Sequence, residues 1–388
     1  MSEIKVNSIK GVAASTAALT INNTDGTCTA NITNNLSNRR ININGAMTIS
    51  QRGTSSTAEG YLVDRVEVDY SGLDETPTMS QVDVASGTTP YSLGFRKAFR
   101  ITNGNQTSGA GAADRLQIFL KQEAQNIANS GWNFTSSSSF ITLQFWVKSS
   151  VAQNFYGFLR SRDGTEQRYP FETGSLSADT WTKVTKTISG NSNITINNDN
   201  GEGLQVTIMA FMGTDYTDSG VSLNAWGAYA GGTQTPDHTS TWYTTNDATF
   251  EITGVQLEVG SVPTDFEFRS YSQEYDLCRR YYEKWEGAQF NPFLTGMDYQ
   301  STIGIADFHW YPKRDVPSLE YSNLSHFDRL KSASSNVSSA ITNLTLTNTG
   351  PKFNYGNLYW NHDSMTGGNA ILFRTNSNSA TLAISSEL

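Results

Sequence analysis

Apolar and polar residues alternate along most of this chain, in short runs separated by Gly, Ser, Asn and Asp. In the clearest run, Phe140–Ser149, every second residue from Ile141 to Val147 is apolar. A period of two is that of a β-strand with one buried face, so residues 57–269 are predicted to form a jelly-roll β-sandwich. Its predicted strands are Tyr61–Tyr70, Ser92–Thr102, Arg115–Glu123, Phe140–Lys148, Phe155–Arg162, Thr182–Ile188, Leu204–Met212 and Thr249–Leu257.

The same alternation returns in residues 288–388 and predicts a C-terminal β-sandwich tip domain. Leu382 and Ile384, close to the last residue, indicate that the final strand is held in a sheet. The predicted strands of the tip are Ser301–Trp310, Pro317–Leu324, Ala340–Thr347, Asn357–Trp360, Asn369–Thr375 and Thr381–Ser385.

Residues 1–56 show strand spacing with few apolar residues. The segment is too thin to hold a core alone, so it is predicted to be a thin β segment that buries its apolar edges against a partner chain. A flexible leader is the alternative. Its apolar pairs are Ile4/Val6, Leu19/Ile21, Ile41/Ile43 and Met47/Ile49.

Residues 270–287 carry the strongest helix signal. Ser270 and Gln273 have the spacing of a capping box, and Gly287 stands where a helix would end. The pattern predicts a linker helix over 270–285 with one apolar stripe, at the joint between the two β domains. The residues of the stripe are Tyr271, Tyr275, Cys278, Tyr282 and Trp285.

The composition narrows the choice of partners. Charged residues make up 16% of the 388 residues and the net charge is -9. Without a dense Lys/Arg cluster, nucleic-acid binding is not expected.

No apolar run reaches the ~18 residues of a membrane span, and the first residues lack the apolar core of a signal peptide. The two cysteines, Cys28 and Cys278, are too few for a disulfide framework, which fits synthesis in a cytosol.

Motifs for catalysis are not recognisable in the sequence, so an enzyme is not expected. The four histidines, at 238, 309, 326 and 362, lie outside any nucleophile motif. Glycoside hydrolysis needs two facing carboxylates. No spacing singles out a pair among the candidates Asp163, Glu166, Glu172 and Asp179.

No cofactor and no metal site are predicted, with a structural calcium ion left open. Calcium prefers oxygen ligands, and acidic residues on predicted loops could supply them. The candidates are Asp163, Asp199, Asp215, Asp218 and Asp247.

Two aromatic clusters lie among amide and hydroxyl residues and are candidate glycan-binding sites. Aromatic rings can stack on the C–H face of a sugar while polar neighbours bind its hydroxyls. Packing in a core is the alternative for both clusters. The first cluster is Trp226, Tyr229, Trp242 and Tyr243, and the second is Trp310, Tyr311, Tyr359, Trp360 and His362.

One stretch resembles a known family closely. Phe250–Glu258 (FEITGVQLE) and the following VGSVPTDFEFRSYSQEYDLCRRYYEK resemble the signature of bacteriophage tail-fibre and receptor-binding proteins. More loosely, FITLQFWVKS resembles a strand of their carbohydrate-binding-module-like jelly rolls, and Trp181–Val184 and Trp226 resemble further positions of that domain. INGAMTISQRG and the first residues resemble structural proteins of marine, cyanobacterial-type phages.

The resemblance implies a homotrimeric tail-fibre adhesin in a virion, made in the host cytoplasm. The N-terminal segment would attach to other phage tail proteins, and the jelly roll or tip would bind host surface polysaccharide. The stripe from Tyr271 to Trp285 would supply trimer contacts. Two alternatives remain open: a structural virion component such as a tail adaptor or capsid decoration, and a fibre-borne glycan depolymerase.

Overall fold

The computed structural model describes residues 6–9, 12, 18–21, 24, 28–30, 39–331, 337–347, 349–350, 353–362 and 370–388. Ile4 and Asn369, which belong to predicted strands, lie outside these residues. The mainly β fold predicted from the alternation is confirmed. Within the described ranges, no helix is long and apolar enough to cross a membrane.

Residues 39–269 fold mainly as strands, with two short helices, α1 (Thr89–Ser92) and α2 (Ala124–Ala128). A separate three-stranded sheet precedes them, formed by β1 (Ser8–Ile9), β2 (Leu19–Ile21) and β3 (Cys28–Ala30). The sandwich strands are β4 (Ser55–Ser56), β5 (Gly60–Tyr61), β6 (Glu67–Ser71), β7 (Thr78–Asp83), β8 (Lys97–Thr102), β9 (Arg115–Glu123), β10 (Phe140–Ser149), β11 (Asn154–Ser161), β12 (Gln167–Ser175), β13 (Thr182–Ser189), β14 (Glu202–Met212), β15 (Gly227–Ala228) and β16 (Thr249–Val259).

Two antiparallel sheets form the sandwich. The six-stranded sheet has the order β13-β10-β16-β8-β7-β4, and the seven-stranded sheet has the order β15-β12-β11-β14-β9-β6-β5. The alternating residues of β10, β11, β14 and β16 point inwards and form one core cluster between the sheets. Leu143, Phe155, Ile208 and Phe250 in that core are all 0% exposed. Burial of such side chains is the main stabilising term of the sandwich.

Part of the predicted N-terminal segment lies inside this architecture. Residues 39–50 run beside β16, where the Asn42 side chain donates to the Val255 carbonyl and accepts from the Leu257 N–H, both at 2.8 Å. Met47 and Ile49 are 0% and 1% exposed. Their apolar pairing therefore serves the core of the same chain.

The predicted linker helix is correct at its start and wrong at its end. Helix α3 (Tyr271–Arg279) begins with the capping box of Ser270 and Gln273. It stops at Arg279 because Tyr282–Gly287 instead forms strand β17, whose backbone pairs with the last strand of the chain. Residues 270–287 are thus a helix followed by the first strand of the tip.

The tip contains a short 3-10 helix, Leu324–His326, and antiparallel strands. After β17, its strands are β18 (Pro292–Gln300), β19 (Ile303–His309), β20 (Ser318–Tyr321), β21 (Phe327–Lys331), β22 (Val337–Ala340), β23 (Asn343–Thr347), β24 (Tyr355–Asn361), β25 (Ala370–Thr375) and β26 (Ala380–Ser385).

A three-stranded sheet, β17-β26-β20, packs against a seven-stranded sheet, β22-β21-β25-β18-β19-β24-β23. Their shared core includes Phe308, Leu358, Trp360, Phe373 and Leu382, and all five side chains are at most 3% exposed. Leu382 and Ile384 are buried, as the sequence predicted.

The tip is fastened to the sandwich by polar groups around a small apolar cluster. Arg65 pairs with Glu387, and the Leu388 carbonyl accepts from the Tyr61 hydroxyl at 3.0 Å and from Lys121 at 2.9 Å. Beneath them lie the buried side chains of Ile43, Ile49, Cys278 and Tyr281.

Candidate functional site

The outer face of the seven-stranded sheet carries polar and aromatic side chains in register. Inward residues of its strands form the core, so the alternate residues point outwards. Cross-strand neighbours on one face lie close enough to form continuous rows. The three rows are Arg168, Arg160, Gln205 and Lys121; Pro170, Phe158, Thr207, Phe119 and Glu67; and Glu172, Tyr156, Met209, Gln117 and Asp69.

The loop between β14 and β16 folds over these rows. Tyr229 packs on Phe158 with ring centroids 6.2 Å apart, and the Arg160 guanidinium lies 3.4 Å from the centre of the Tyr229 ring. His238 packs on Tyr156 at 5.0 Å. The loop therefore turns part of the sheet face into a secondary apolar cluster and leaves its edge open.

His238 is a packing residue in this loop. Burial lowers its pKa to about 3, so the ring is neutral at ordinary pH. Its Nε2 lies 3.1 Å from the Thr235 hydroxyl, and its ring also contacts Phe211. Thr235 is 0% exposed, so this contact holds the loop in place.

A pocket of about 350 Å³ opens at the β12–β15 edge of this face, and we call it the Trp226 pocket. This volume is in the range of small-ligand sites. It is lined by Arg168, Asp218, Gly220, Val221, Ser222, Ala225, Trp226, Gly227 and Thr233.

Trp226 and Arg168 define the chemistry of this pocket. The Trp226 indole is partly buried, donates to the Ser189 carbonyl at 2.7 Å and packs on Tyr169 at 5.5 Å, so its orientation is fixed. Burial lowers the pKa of Arg168, and its terminal nitrogen lies 3.4 Å from the Thr233 hydroxyl. Its Nε has no hydrogen-bond partner among the described residues. A fixed aromatic ring beside a guanidinium, a carboxylate and two hydroxyls can bind a small polyhydroxylated ligand.

Trp242 and Tyr243 of the first aromatic cluster lie in the core, so their predicted role in stacking is wrong, whereas Tyr229 is half-buried. Trp242 is 0% exposed and donates to the Thr249 carbonyl at 3.0 Å. Tyr243 is 1% exposed, stacks on Phe211 and donates to Asp114 at 3.0 Å. No ring face of either residue is available to a ligand.

Three residues of the second cluster are also internal. Trp360 and Trp310 are 0% and 7% exposed in the tip core. His362 is buried beside Asp298, which forms a two-armed ion pair with Arg329. The predicted glycan contacts at these three positions are therefore wrong, because the side chains stabilise the tip from within.

Tyr359 and Tyr311 remain at the surface of the tip. Tyr359 is partly buried on the outer face of the larger tip sheet and meets the exposed Tyr299 edge-to-face at 6.5 Å. Tyr311 lies beside α3, with the Arg279 guanidinium 4.9 Å from its ring centre. These two tyrosines are separated from the buried residues with which the sequence grouped them.

The predicted trimer stripe is split by the end of the helix. Tyr271 is 67% exposed and stacks on Tyr275 at 6.1 Å. Cys278 and Tyr282 are 0% and 4% exposed within the chain, so they cannot contact another copy. Trp285 lies on β17 and packs against Phe308. Tyr271 and Tyr275 on α3 and the partly buried Trp285 on β17 are therefore the residues of the stripe that keep exposed surface.

The acidic candidates are dispersed. Among the described residues, no group of three or more His, Cys, Asp or Glu side chains could hold a metal ion. Asp163 accepts from the Asn197 backbone and side chain, and Asp199 accepts from the Gly201 N–H. Glu166 pairs with Arg160 and Arg162. Asp218 alone of the calcium candidates lines the Trp226 pocket.

Sequence reasoning missed Arg168 and Thr233. Arg168 lies on β12, whose sequence QRYPFETGS contains Pro170, a residue that counts against a strand interior. Thr233 lies on an irregular loop and gives no signal of its own. Arg168 on β12 pairs with Gly227 on β15 at the sheet edge, and this pairing brings Arg168 and Thr233 beside Trp226.

No family model and no curated protein match the chain. Solved structures with a similar backbone include the enzymatically active domain of tailspike protein 4 of Bacteriophage CBA120, at 9% identity and a TM-score of 0.29 over 56% of this chain and 21% of that one. The N-terminal cellulose-binding domain of a Cellulomonas fimi β-1,4-glucanase matches at 10% identity and 0.26, over 55% of this chain and 99% of that one. The family 11 carbohydrate-binding module of a Clostridium thermocellum cellulase matches at 10% and 0.24, over 54% and 96%. The aligned region corresponds to a fifth of the tailspike domain, and all three TM-scores are low.

Proposed function

We propose that this protein is a phage tail-fibre adhesin that binds a host surface glycan through the Trp226 pocket. It would act in the virion as a homotrimer, attached to other tail proteins through its N-terminal segment. The sequence signature around Phe250–Glu258 supports the family, and the serial arrangement of a thin segment, a sandwich and a tip is compatible with it.

The observation that carries glycan binding is the pairing of Trp226 with Arg168 in one open pocket. The Trp226 ring offers a C–H stacking surface, while Arg168 donates and Asp218 accepts hydrogen bonds. One shallow pocket of this kind binds weakly. Several copies on a fibre would raise the avidity ~10²–10⁴-fold where the geometry allows simultaneous binding.

A glycan array with the purified chain, followed by titration with each positive glycan, tests this proposal. Trp226→Ala and Arg168→Ala should each weaken binding about tenfold, which corresponds to ~1.4 kcal/mol. Tyr70→Ala is the matched control, because Tyr70 is also a partly buried aromatic residue of the sandwich and lies outside this pocket. Equal binding by both pocket variants and the wild type would disprove the assignment of the site.

The surroundings of the acidic candidates support binding without catalysis. Glu166 is held by two arginines and Glu172 accepts from Asn154 at 2.9 Å, while Asp179 is an exposed turn residue. Clearing of host polysaccharide by the purified chain would favour the depolymerase alternative, and intact polysaccharide with measurable binding would favour the adhesin.

A structural role in the virion is the remaining alternative. A tail adaptor or a decoration protein would show tight contacts on every side in the virion and no affinity for host cells. Binding of the purified chain to host cells, competed by the soluble glycan, would separate the adhesin from this alternative.

A further inference from the structure

A second cavity lies on the outer face of the six-stranded sheet, on the opposite side of the sandwich from the Trp226 pocket. Its volume is about 320 Å³, which is sufficient for a small ligand. We call it the aromatic pocket. Its apolar walls are Leu93, Phe95, Trp146, Phe266 and Phe268.

Three phenylalanine rings make one continuous wall. Phe95 meets Phe266 edge-to-face at 4.9 Å and Phe268 at 5.2 Å, and Phe266 meets Phe268 at 4.8 Å. Phe95 is 2% exposed at the base, whereas Phe268 is 50% exposed at the mouth. The wall is therefore preformed, with one ring in reach of solvent.

Two glycines shape the backbone beneath these rings. Gly254 has φ +62°, and a Cβ there would lie 2.7 Å from Cζ of Phe95. Gly94 has φ +106°, and its Cβ would lie 3.1 Å from Cζ of Phe268. A side chain at Gly254 would displace Phe95, and a side chain at either position would strain a backbone of positive φ, so the pocket favours glycine at both.

A buried amide lines the base of the pocket. Gln144 is 2% exposed, and its Nε2 donates to the Thr264 carbonyl at 2.6 Å. Its Oε1 has no hydrogen-bond partner among the described residues. A buried acceptor without a partner is unfavourable, so a ligand that brings an N–H or O–H donor is stabilised here.

The rim adds one charge of each sign. Lys183 and Asp265 also line the pocket, and both are exposed. The Lys183 ammonium donates hydrogen bonds and the Asp265 carboxylate accepts them, so the two together can bind the hydroxyl groups of a neutral ligand. An anionic ligand would meet the carboxylate of Asp265, and a purely apolar one would leave the Gln144 oxygen unpaired.

We propose that the aromatic pocket binds a single pyranose residue that carries an acetamido group. The acetamido N–H pairs with Oε1 of Gln144, and its methyl group packs against Phe95 and Phe266. The sugar ring covers Phe268, and its hydroxyls bind Lys183 and Asp265. This site is separate from the Trp226 pocket, and either proposal can fail without the other.

Titration calorimetry of the full chain with N-acetylglucosamine and with glucose tests the ligand. The acetylated sugar should bind about tenfold more tightly, since glucose has neither the methyl group nor the amide donor. Equal affinities, or no heat from either sugar at tens of millimolar, would overturn the proposal.

Two substitutions test the position of the site. Phe268→Ala should weaken N-acetylglucosamine binding about tenfold, because it removes the ring that covers the sugar. Phe290→Ala is the matched control, since Phe290 is 54% exposed on the tip. Binding that survives Phe268→Ala but is lost in Trp226→Ala would place the sugar in the other pocket and overturn this assignment.

A third substitution tests the amide. Gln144→Leu removes the acceptor and should reduce the preference for the acetylated sugar over glucose, leaving the part due to the methyl group, with the fold checked by circular dichroism. A folded Gln144→Leu variant that keeps the full preference would contradict the role of Oε1. If this variant does not fold, Phe268→Ala decides the question.

Discussion

Glu123 and Arg280 form a two-armed ion pair across the joint between the sandwich and the tip. Nε and one terminal nitrogen of Arg280 donate to the carboxylate of Glu123, at 2.7 and 2.8 Å. The Glu123 side chain is 0% exposed. Burial alone would raise the pKa of Glu123, but the hydrogen bonds from Arg280 and Tyr281 lower it below its usual value. The carboxylate is therefore charged at neutral pH, and its partners are fixed around it.

Replacing Glu123 with Gln should destabilise the protein by ~3–5 kcal/mol, because the Arg280 guanidinium would lose its charged partner at a half-buried site. Differential scanning calorimetry measures the effect. Glu320→Gln is the control, since Glu320 is exposed. Equal melting temperatures of the two variants would show that the ion pair contributes little to the joint.

Asp64 should make stability depend on pH in a defined window. It is 1% exposed, and burial raises its pKa to about 6 from the ordinary value of 3.8. The folded state then binds the proton more tightly than the unfolded state, so this contribution is full below pH 3.8 and is lost as the pH rises through about 6. Between these limits it amounts to ~3 kcal/mol.

Urea unfolding of the wild type and Asp64→Asn at pH 4 and pH 7 measures this contribution. The unfolding free energy of Asp64→Asn minus that of the wild type should be larger at pH 7 than at pH 4, because asparagine carries no charge to bury. A difference that is constant across the range would contradict the raised pKa of Asp64.

Gly254→Ala should lower the unfolding free energy by ~1–3 kcal/mol. The backbone there has φ +62°, and the new methyl group would collide with Phe95. Gly231→Ala is the matched control, because a Cβ at Gly231 meets nothing within 4 Å. Chemical denaturation of both variants checks the expectation, and a stable Gly254→Ala variant would show that the backbone at residue 254 can relax.

The proposed trimer predicts a particle mass near three times 42.6 kDa by light scattering. Tyr271→Glu should reduce it, because a charge would replace a ring that is 67% exposed on α3. Tyr321→Glu, on the tip at 38% exposure, is the control and should leave the mass unchanged. A monomeric wild type would remove the trimer from the proposal.

The periodic strands were predictable because their side chains alternate strictly. Phe140–Ser149 and Leu204–Met212 lie within strands β10 and β14. Strand β12 was missed because of Pro170, and β18 because its exposed and buried residues do not alternate evenly.

The end of helix α3 shows a limit of local reasoning. Tyr282 and Trp285 continue the helical spacing, but Leu382 and Ile384 lie about a hundred residues away and require a pairing strand. Pairing with β26 in the folded tip therefore outweighs the local helical pattern. No feature between Ser270 and Gly287 could have revealed this.

The aromatic candidates divide by burial, which their sequence context does not encode. Trp226 lies among small residues in the chain (NAWGAYAGG) and Trp242 among hydroxyl residues (TSTWYTTN), and neither context tells whether the ring is covered. Trp242 is covered by Phe155 and Phe250, whereas Trp226 lies at the sheet edge beside Arg168. Packing of a large ring is the more frequent outcome, and only the fold identifies the exception.

The attachment of Glu387 and Leu388 to the sandwich has a mechanical consequence. Besides the covalent chain entering β17 and the Glu123–Arg280 ion pair, the tip is held by the contacts of the final residues with Arg65, Tyr61 and Lys121. A load on the tip is therefore divided between a peptide backbone and a buried electrostatic clamp. We therefore expect torque applied to the tip to reach the sandwich through these side-chain contacts as well as through the backbone.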